Sequence, residues 1–144
     1  SKLTAISARR DTAHAEIKRI ESSSAELALV MKHAGTYRQL RPMYDQYRQS
    51  RDKEKFLRGH EGEIILFEAA ARELKRLDAV PLPATQRLRA EMDELTARKA
   101  ALQSEHRKAQ REERQYDTLR QNVEALLEKP REAEPQRQRN NELE

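Results

Sequence analysis

The chain has 144 residues, of which 36% are hydrophobic and 38% are charged, so a compact globule of this length is disfavoured. Its net charge of +4 arises from 29 basic and 25 acidic residues, and such mixed signs are typical of a solvated helical surface. Three glycines and no cysteine or tryptophan leave little for a β-sheet, a disulfide framework or a thiolate metal site. Helices that pack along narrow apolar stripes remain possible, since they need only about two apolar residues in seven.

The first predicted element, helix A, covers residues 2–49. Apolar or small residues recur along it at alternating steps of three and four, and the polar exceptions Arg10 and Ser24 weaken this seam and help to fix its register. The pattern slips at Gly35, and Pro42 lies inside the resumed run, where proline removes an amide donor and clashes with the preceding turn. Helix A therefore either kinks between Gly35 and Pro42, or breaks there and a short helix begins with Pro42 in its first turn.

Helix B is predicted over residues 53–79. Asp52 is placed to cap its N-terminus, and the segment EIILFEAAARELKRL is the richest apolar stretch of the chain. We expect this helix to be buried on more than one side and to be the hub against which the others pack. The segment from Val80 to Pro83 ends it, because neither proline can continue a helix.

Helix C is predicted over residues 84–129 and carries the clearest periodic signal. One apolar series repeats every seven residues, while the partner series is apolar only at its ends and polar from Lys99 to Arg120. The seam that we expect to support self-association consists of Leu88, Met92, Leu95, Leu102, Ala109, Tyr116, Val123 and Leu127.

These three helices predict an all-α fold, an elongated helical bundle or coiled coil forming one domain over residues 1–129. Residues 130–144 are bracketed by prolines and rich in Arg, Glu, Gln and Asn, so we expect a flexible polar tail that cannot bury enough apolar surface to fold. Helix C alone would be about 65–70 Å long, and helix B is too short to cover both long helices. Some seam must therefore pair with a second copy, with another segment or with a partner helix, or stay exposed.

A catalytic or metal site is not predicted. The four histidines, His14, His33, His60 and His106, are isolated, and no pair has the four-residue spacing that places two metal ligands on one helix face. The sequence contains no glycine-rich phosphate loop and no nucleophile elbow. We therefore expect no catalytic residue, no metal and no cofactor, and we expect that this chain is not by itself an enzyme.

A basic segment that contains aromatic residues is the strongest functional signal. Between Lys32 and Arg58 it has eight basic residues and only three acidic ones, Asp45, Asp52 and Glu54. Basic groups with interleaved aromatic residues are what a nucleic-acid contact needs. The tyrosines Tyr37, Tyr44 and Tyr47 also have helical spacing and could simply face helix B, which leaves the basic side chains as the better candidates. The candidate nucleic-acid-binding residues are Lys32, Arg38, Arg41, Arg48, Arg51, Lys53, Lys55 and Arg58.

Three stretches carry a family resemblance: MKHAGTYRQLRPMYDQYRQS, KFLRGHEGEIILFEAAARELKRL and LPATQRLRAEMDEL. Together they resemble the C-terminal helical region of relaxases, the mobilisation nucleases of bacterial conjugative and mobilisable elements, over about residues 25–129. In that family a separate N-terminal domain carries the nicking tyrosine and a histidine metal cluster. Neither matches here, so the resemblance gives no catalytic role to Tyr37, Tyr44, Tyr47 or Tyr116.

The resemblance implies a non-catalytic accessory domain that contributes DNA binding, self-association or contacts with relaxosome and secretion proteins during DNA transfer. The alternative hypothesis is a structural coiled-coil scaffold that joins proteins without binding nucleic acid. No apolar run approaches the roughly 18–20 residues that span a bilayer, so we expect no membrane partner and a cytoplasmic location. Because Ser1 opens neither a signal peptide nor a start methionine, we expect a soluble piece of a longer protein.

Overall fold

A computed structural model describes residues 1–128, and residues 129–144, which hold the predicted tail, lie outside the described part. Three helices are present: α1 over Lys2–Gln49, α2 over Lys53–Arg76 and α3 over Thr85–Glu128. No strand occurs between residues 1 and 128. The predicted all-α fold with three main helices is therefore confirmed.

Helix α1 does not break between Gly35 and Pro42, and that alternative of the sequence analysis is wrong. The helix continues through both residues to Gln49, although Pro42 has no amide proton to give to the carbonyl of Arg38. The physical reason lies across the helix pair, where Phe67 of α2 stacks on a tyrosine from each side of Pro42. Because the same Phe67 ring packs on residues before and after Pro42, one continuous helix is favoured over two separate helices.

The two ends of α2 are fixed by specific caps. At the start, the side chain of Asp52 accepts a hydrogen bond of 3.1 Å from the backbone amide of Lys55, so the predicted N-cap is confirmed. At the end, Asp78 has a left-handed backbone, φ 57°, and the amide of Ala79 donates to the carbonyl of Leu74 at 2.8 Å. This is a Schellman arrangement, and it ends the helix at Arg76, three residues before the boundary predicted from the prolines.

Helix α2 buries one face only among the described residues. Ile64, Phe67 and Leu74 are buried on that face, whereas Ile65 and Leu66 are 55% and 57% exposed. The expectation that this helix is buried on more than one side is therefore wrong within residues 1–128. The reason is that neither α1 nor α3 packs on its other face, which remains open.

The contacts of the chain group it into two units. One unit spans Ile17–Ala100 and contains the C-terminal part of α1, all of α2 and the start of α3. Its buried cluster joins all three helices and the loop before α3, and partly buried side chains, among them Tyr37, surround it. The buried members are Val30, Ala34, Leu74, Ala79 and Leu88.

The other unit joins Ser1–Glu16 to α3 from Ala101 onward. Arg10 pairs with Glu113, with its Nη1 at 2.7 and 2.6 Å from the two carboxylate oxygens. His14 lies opposite His106, with ring centroids 5.8 Å apart. Since numbers rise along α1 as they fall along α3, the two segments are antiparallel.

In this unit the polar seam positions face each other. Arg10 interrupts the apolar pattern of α1, and Glu113 interrupts that of α3. Their ion pair gives each of these charges a partner of opposite sign. The pKa of the Arg10 guanidinium is raised, first by its hydrogen bond to the Asp11 side chain and then by the charge of Glu113. A shifted register would separate these partners, which supports the prediction that Arg10 helps to set the register.

Among the described residues, no helix combines the length and the apolar character that crossing a bilayer requires.

Candidate nucleic-acid interface

The eight basic candidates from Lys32 to Arg58 are all solvent-exposed and all belong to the unit that spans Ile17–Ala100. Lys32 stands apart, because it lies six residues before Arg38 and therefore about 120° around the helix from it. The other seven candidates, from Arg38 to Arg58, lie on the C-terminal part of α1, the turn and the start of α2. Two of these seven, Arg38 and Arg41, are partly occupied by neighbours in the chain.

Arg38 holds the loop before α3. Its guanidinium donates to the carbonyl oxygen of Pro83 and, through Nη1 at 2.9 Å, to the hydroxyl of Thr85 at the first position of α3. These bonds connect α1 to the start of α3, so Arg38 has a structural role. The sequence offered no signal for this role, because the partners lie more than forty positions away and one of them is a backbone atom.

Arg41 lies over the ring of Tyr37, with its guanidinium carbon 5.8 Å from the ring centroid. Its Nε is also 3.8 Å from a carboxylate oxygen of Asp45, one turn further along α1. Both contacts are at the surface, where they constrain the side chain weakly. Arg41 therefore remains able to reach a phosphate.

The aromatic residues form a ladder between α1 and α2. Tyr37 and Tyr44 stack on Phe67 with centroids 4.7 and 4.3 Å away, and Tyr47 stacks on Phe56 at 6.0 Å. Rings that are already engaged with each other offer less surface to nucleic-acid bases. The ladder therefore favours the helix-packing interpretation of the tyrosines and leaves phosphate contact to the basic side chains.

The remaining cations surround the turn between α1 and α2. Within residues 1–128 none of them forms an ion pair. Of the two acids in the same segment, Asp52 already uses a carboxylate oxygen to cap α2, which leaves Glu54 as the main opposing charge. We call this group the turn cluster, and it consists of Arg48, Arg51, Lys53, Lys55 and Arg58.

An open groove lies in the same unit, with a volume of about 590 Å³. Leu74, Val80 and Leu82 contribute apolar walls, and Arg41 and Lys75 add two cations. The sequence analysis did not find this groove. The loop from Asp78 to Leu82 creates one side of it, and loop conformation has no periodic signal.

The predicted self-association seam of α3 divides into three parts. Leu88 and Ala109 are buried within the chain, so a second copy cannot use them unless the helices separate. Val123 and Leu127 are 47% and 76% exposed and remain available. The other four members are half-buried, namely Met92, Leu95, Leu102 and Tyr116.

The histidines remain dispersed, apart from His14 and His106. Across residues 1–128, no three histidine, cysteine or acidic side chains come together as metal ligands would. His60 stacks on Phe56 at 4.4 Å and is the one residue of α2 with non-helical dihedral angles, φ −135° and ψ 22°.

No known protein family, curated protein or solved structure matches this chain.

Proposed function

We propose that this chain is a non-catalytic accessory domain of a conjugative DNA relaxase, and that it holds DNA through its turn cluster. The observation that carries the proposal is the exposure of five cations within eleven positions, from Arg48 to Arg58, none of them ion-paired within residues 1–128. The resemblance of the helical segments to relaxase C-terminal regions supplies the biological setting.

The turn cluster suits phosphates better than bases. Guanidinium and ammonium groups on an exposed helix turn can follow a phosphate backbone without a groove that fits one sequence. The packed tyrosines leave no obvious stacking platform, so sequence preference should be weak. Affinity should come mainly from released counterions and should therefore depend strongly on salt.

The test titrates the protein into labelled duplex DNA and into labelled single-stranded DNA. Binding is measured by fluorescence anisotropy at several salt concentrations. If all five cations neutralise phosphates, the logarithm of the affinity should fall against the logarithm of salt with a slope of about −4 to −5 for duplex DNA. The double variant Arg51→Glu/Lys55→Glu should reduce that slope by about 2 and weaken binding at least about tenfold.

The matched control is Arg89→Glu/Arg98→Glu, which changes the net charge equally at two exposed positions of α3 in the same unit. We expect it to retain most of the affinity. Equal loss in both double variants would show that only net charge matters, and absence of binding to either DNA at low salt would end the proposal.

A second candidate function is that of a structural coiled-coil scaffold that joins proteins without binding nucleic acid. It is favoured by one observation, the exposed apolar side chains near the end of α3, since such patches often mark contact with another protein. The double variant Val123→Asp/Leu127→Asp should then release that partner or abolish higher assembly. Assembly that survives this change would count against the scaffold hypothesis. The exposed side chains are Leu119, Val123, Leu126 and Leu127.

A further inference from the structure

The face of α2 that points away from the core is apolar and open. It combines two small residues, Gly62 and Ala69, with the exposed side chains of Ile65 and Leu66. These four residues follow the spacing i, i+3, i+4 and i+7, which places them on one stripe of a helix. Apart from the adjoining residues and the backbone of the same helix, no heavy atom of the described residues lies within 4 Å of the position that a Cβ on Gly62 would take. We call this stripe the outer face of α2.

The order of residues on the outer face is the same when it is read in either direction. From its midpoint between Ile65 and Leu66, a large aliphatic residue comes first on both sides, and a small residue follows on both sides. An antiparallel copy of α2 that is centred on this midpoint would therefore place Ile65 against the partner's Leu66 and Gly62 against the partner's Ala69. Small residues at the flanks allow two helices to approach closely.

Beyond the stripe the same register gives one oppositely charged pair, and it also places Lys55 against the partner's Arg76, which carry like charges. Arg58 falls opposite the partner's Glu73, and the reverse pair follows from the two-fold symmetry. Arg58 forms no ion pair within residues 1–128, whereas Glu73 pairs with Arg76 at 2.8 Å and is still partly exposed. Because the non-helical backbone of His60 separates Arg58 from the stripe, the register rests on the aliphatic and small residues from Gly62 to Ala69.

We infer that the outer face of α2 is a homodimer interface, in which two copies of this chain pack α2 against α2 in antiparallel fashion about a two-fold axis. A helix that is apolar on both sides is normally covered on both sides. A second copy covers this face with its own identical pattern, so no other partner chemistry is required. The inference does not depend on DNA binding or on the exposed end of α3.

The first experiment measures the molar mass by light scattering as a function of concentration. Ile65→Asp should raise the dimer dissociation constant at least about a hundredfold, because the symmetry places two carboxylates in one small apolar contact. Val123→Asp/Leu127→Asp is the control and should leave this dimer intact. A monomer at every concentration, or a dimer that is lost only in the control, would overturn the inference.

The second experiment tests the register and takes advantage of the absence of native cysteine. Mixing the chains Gly62→Cys and Ala69→Cys under mild oxidation should give a disulfide-linked heterodimer, since these positions face each other across the axis. The mixture of Gly62→Cys with Glu68→Cys is the control, because Glu68 lies on another side of the helix. Equal cross-linking in both mixtures would contradict the antiparallel register.

Discussion

Pro42 provides a sharp test of the continuity of α1. It is exposed and lies inside a 48-residue helix, where its ring leaves the carbonyl of Arg38 without the usual donor one turn later. The variant Pro42→Ala restores that donor and removes the clash of the ring. No side-chain packing is lost, because the proline ring contacts solvent and the tyrosine ladder is on another side.

The expected gain can be bounded from the structure. A restored backbone hydrogen bond contributes about 1 kcal/mol, and the full difference between proline and alanine in a helix interior is about 3 kcal/mol. Pro42→Ala should therefore raise the free energy of unfolding by about 1–3 kcal/mol. The urea midpoint, followed by far-ultraviolet circular dichroism, should move upward by about 1 M.

The control is Gln46→Ala, an exposed position one turn further along α1. It should change the free energy of unfolding by no more than about 0.5 kcal/mol. If Pro42→Ala leaves stability unchanged or lowers it, the helix does not pass through this position in solution and the reasoning fails.

Three further predictions concern the unit that spans Ile17–Ala100. Phe67→Leu keeps a buried aliphatic group but loses the ring stacks on Tyr37 and Tyr44. It should lower the free energy of unfolding, measured in urea, by about 1–3 kcal/mol. An unchanged urea midpoint would show that the aromatic ladder contributes little to stability. Arg38→Gln removes the hydrogen bonds to the Pro83 carbonyl and the Thr85 hydroxyl, so it should lower the free energy of unfolding by about 1 kcal/mol while weakening DNA binding less than Arg51→Glu/Lys55→Glu. The opposite ranking would reject its structural role. Arg76 lowers the pKa of Glu73 below its ordinary value of 4.5, so the stabilisation from Glu73 is complete above that value and is lost as pH falls through the lowered pKa. Glu73→Gln should therefore flatten the decline of thermal stability in this acidic range, and an identical pH profile would contradict the assignment.

Several elements of the candidate site could be predicted from residue types alone. Asp52 was recognised as a cap because a carboxylate before a helix accepts the free amides of its first turn. The basic segment from Lys32 to Arg58 was visible as a local excess of charge, and the helical spacing of the tyrosines left packing open as their role. The sequence could not separate Arg38 from the other cations, because its partner is a carbonyl in a distant loop.

The wrong predictions share a physical origin. A break in α1 was one of two alternatives left open by the local cost of Pro42, but the stacking of Phe67 on tyrosines from both sides of it acts across two helices. The end of α2 was assigned to prolines, whereas Asp78 ended it earlier by adopting a left-handed backbone, which few sequence signals mark. The expectation that α2 is buried on more than one side assumed that apolar residues such as Ile65 and Leu66 must be covered within the chain.

The sequence by itself determined the number of helices, their approximate bounds and the position of the basic segment, because these features depend on periodicity and on neighbouring residues. The tertiary structure alone decided which apolar faces are covered, which arginine is engaged and which polar seam residues meet, such as Arg10 and Glu113. Those outcomes depend on contacts between residues far apart in the chain. Periodicity specifies that a helix has an apolar face, but only packing specifies what lies against it.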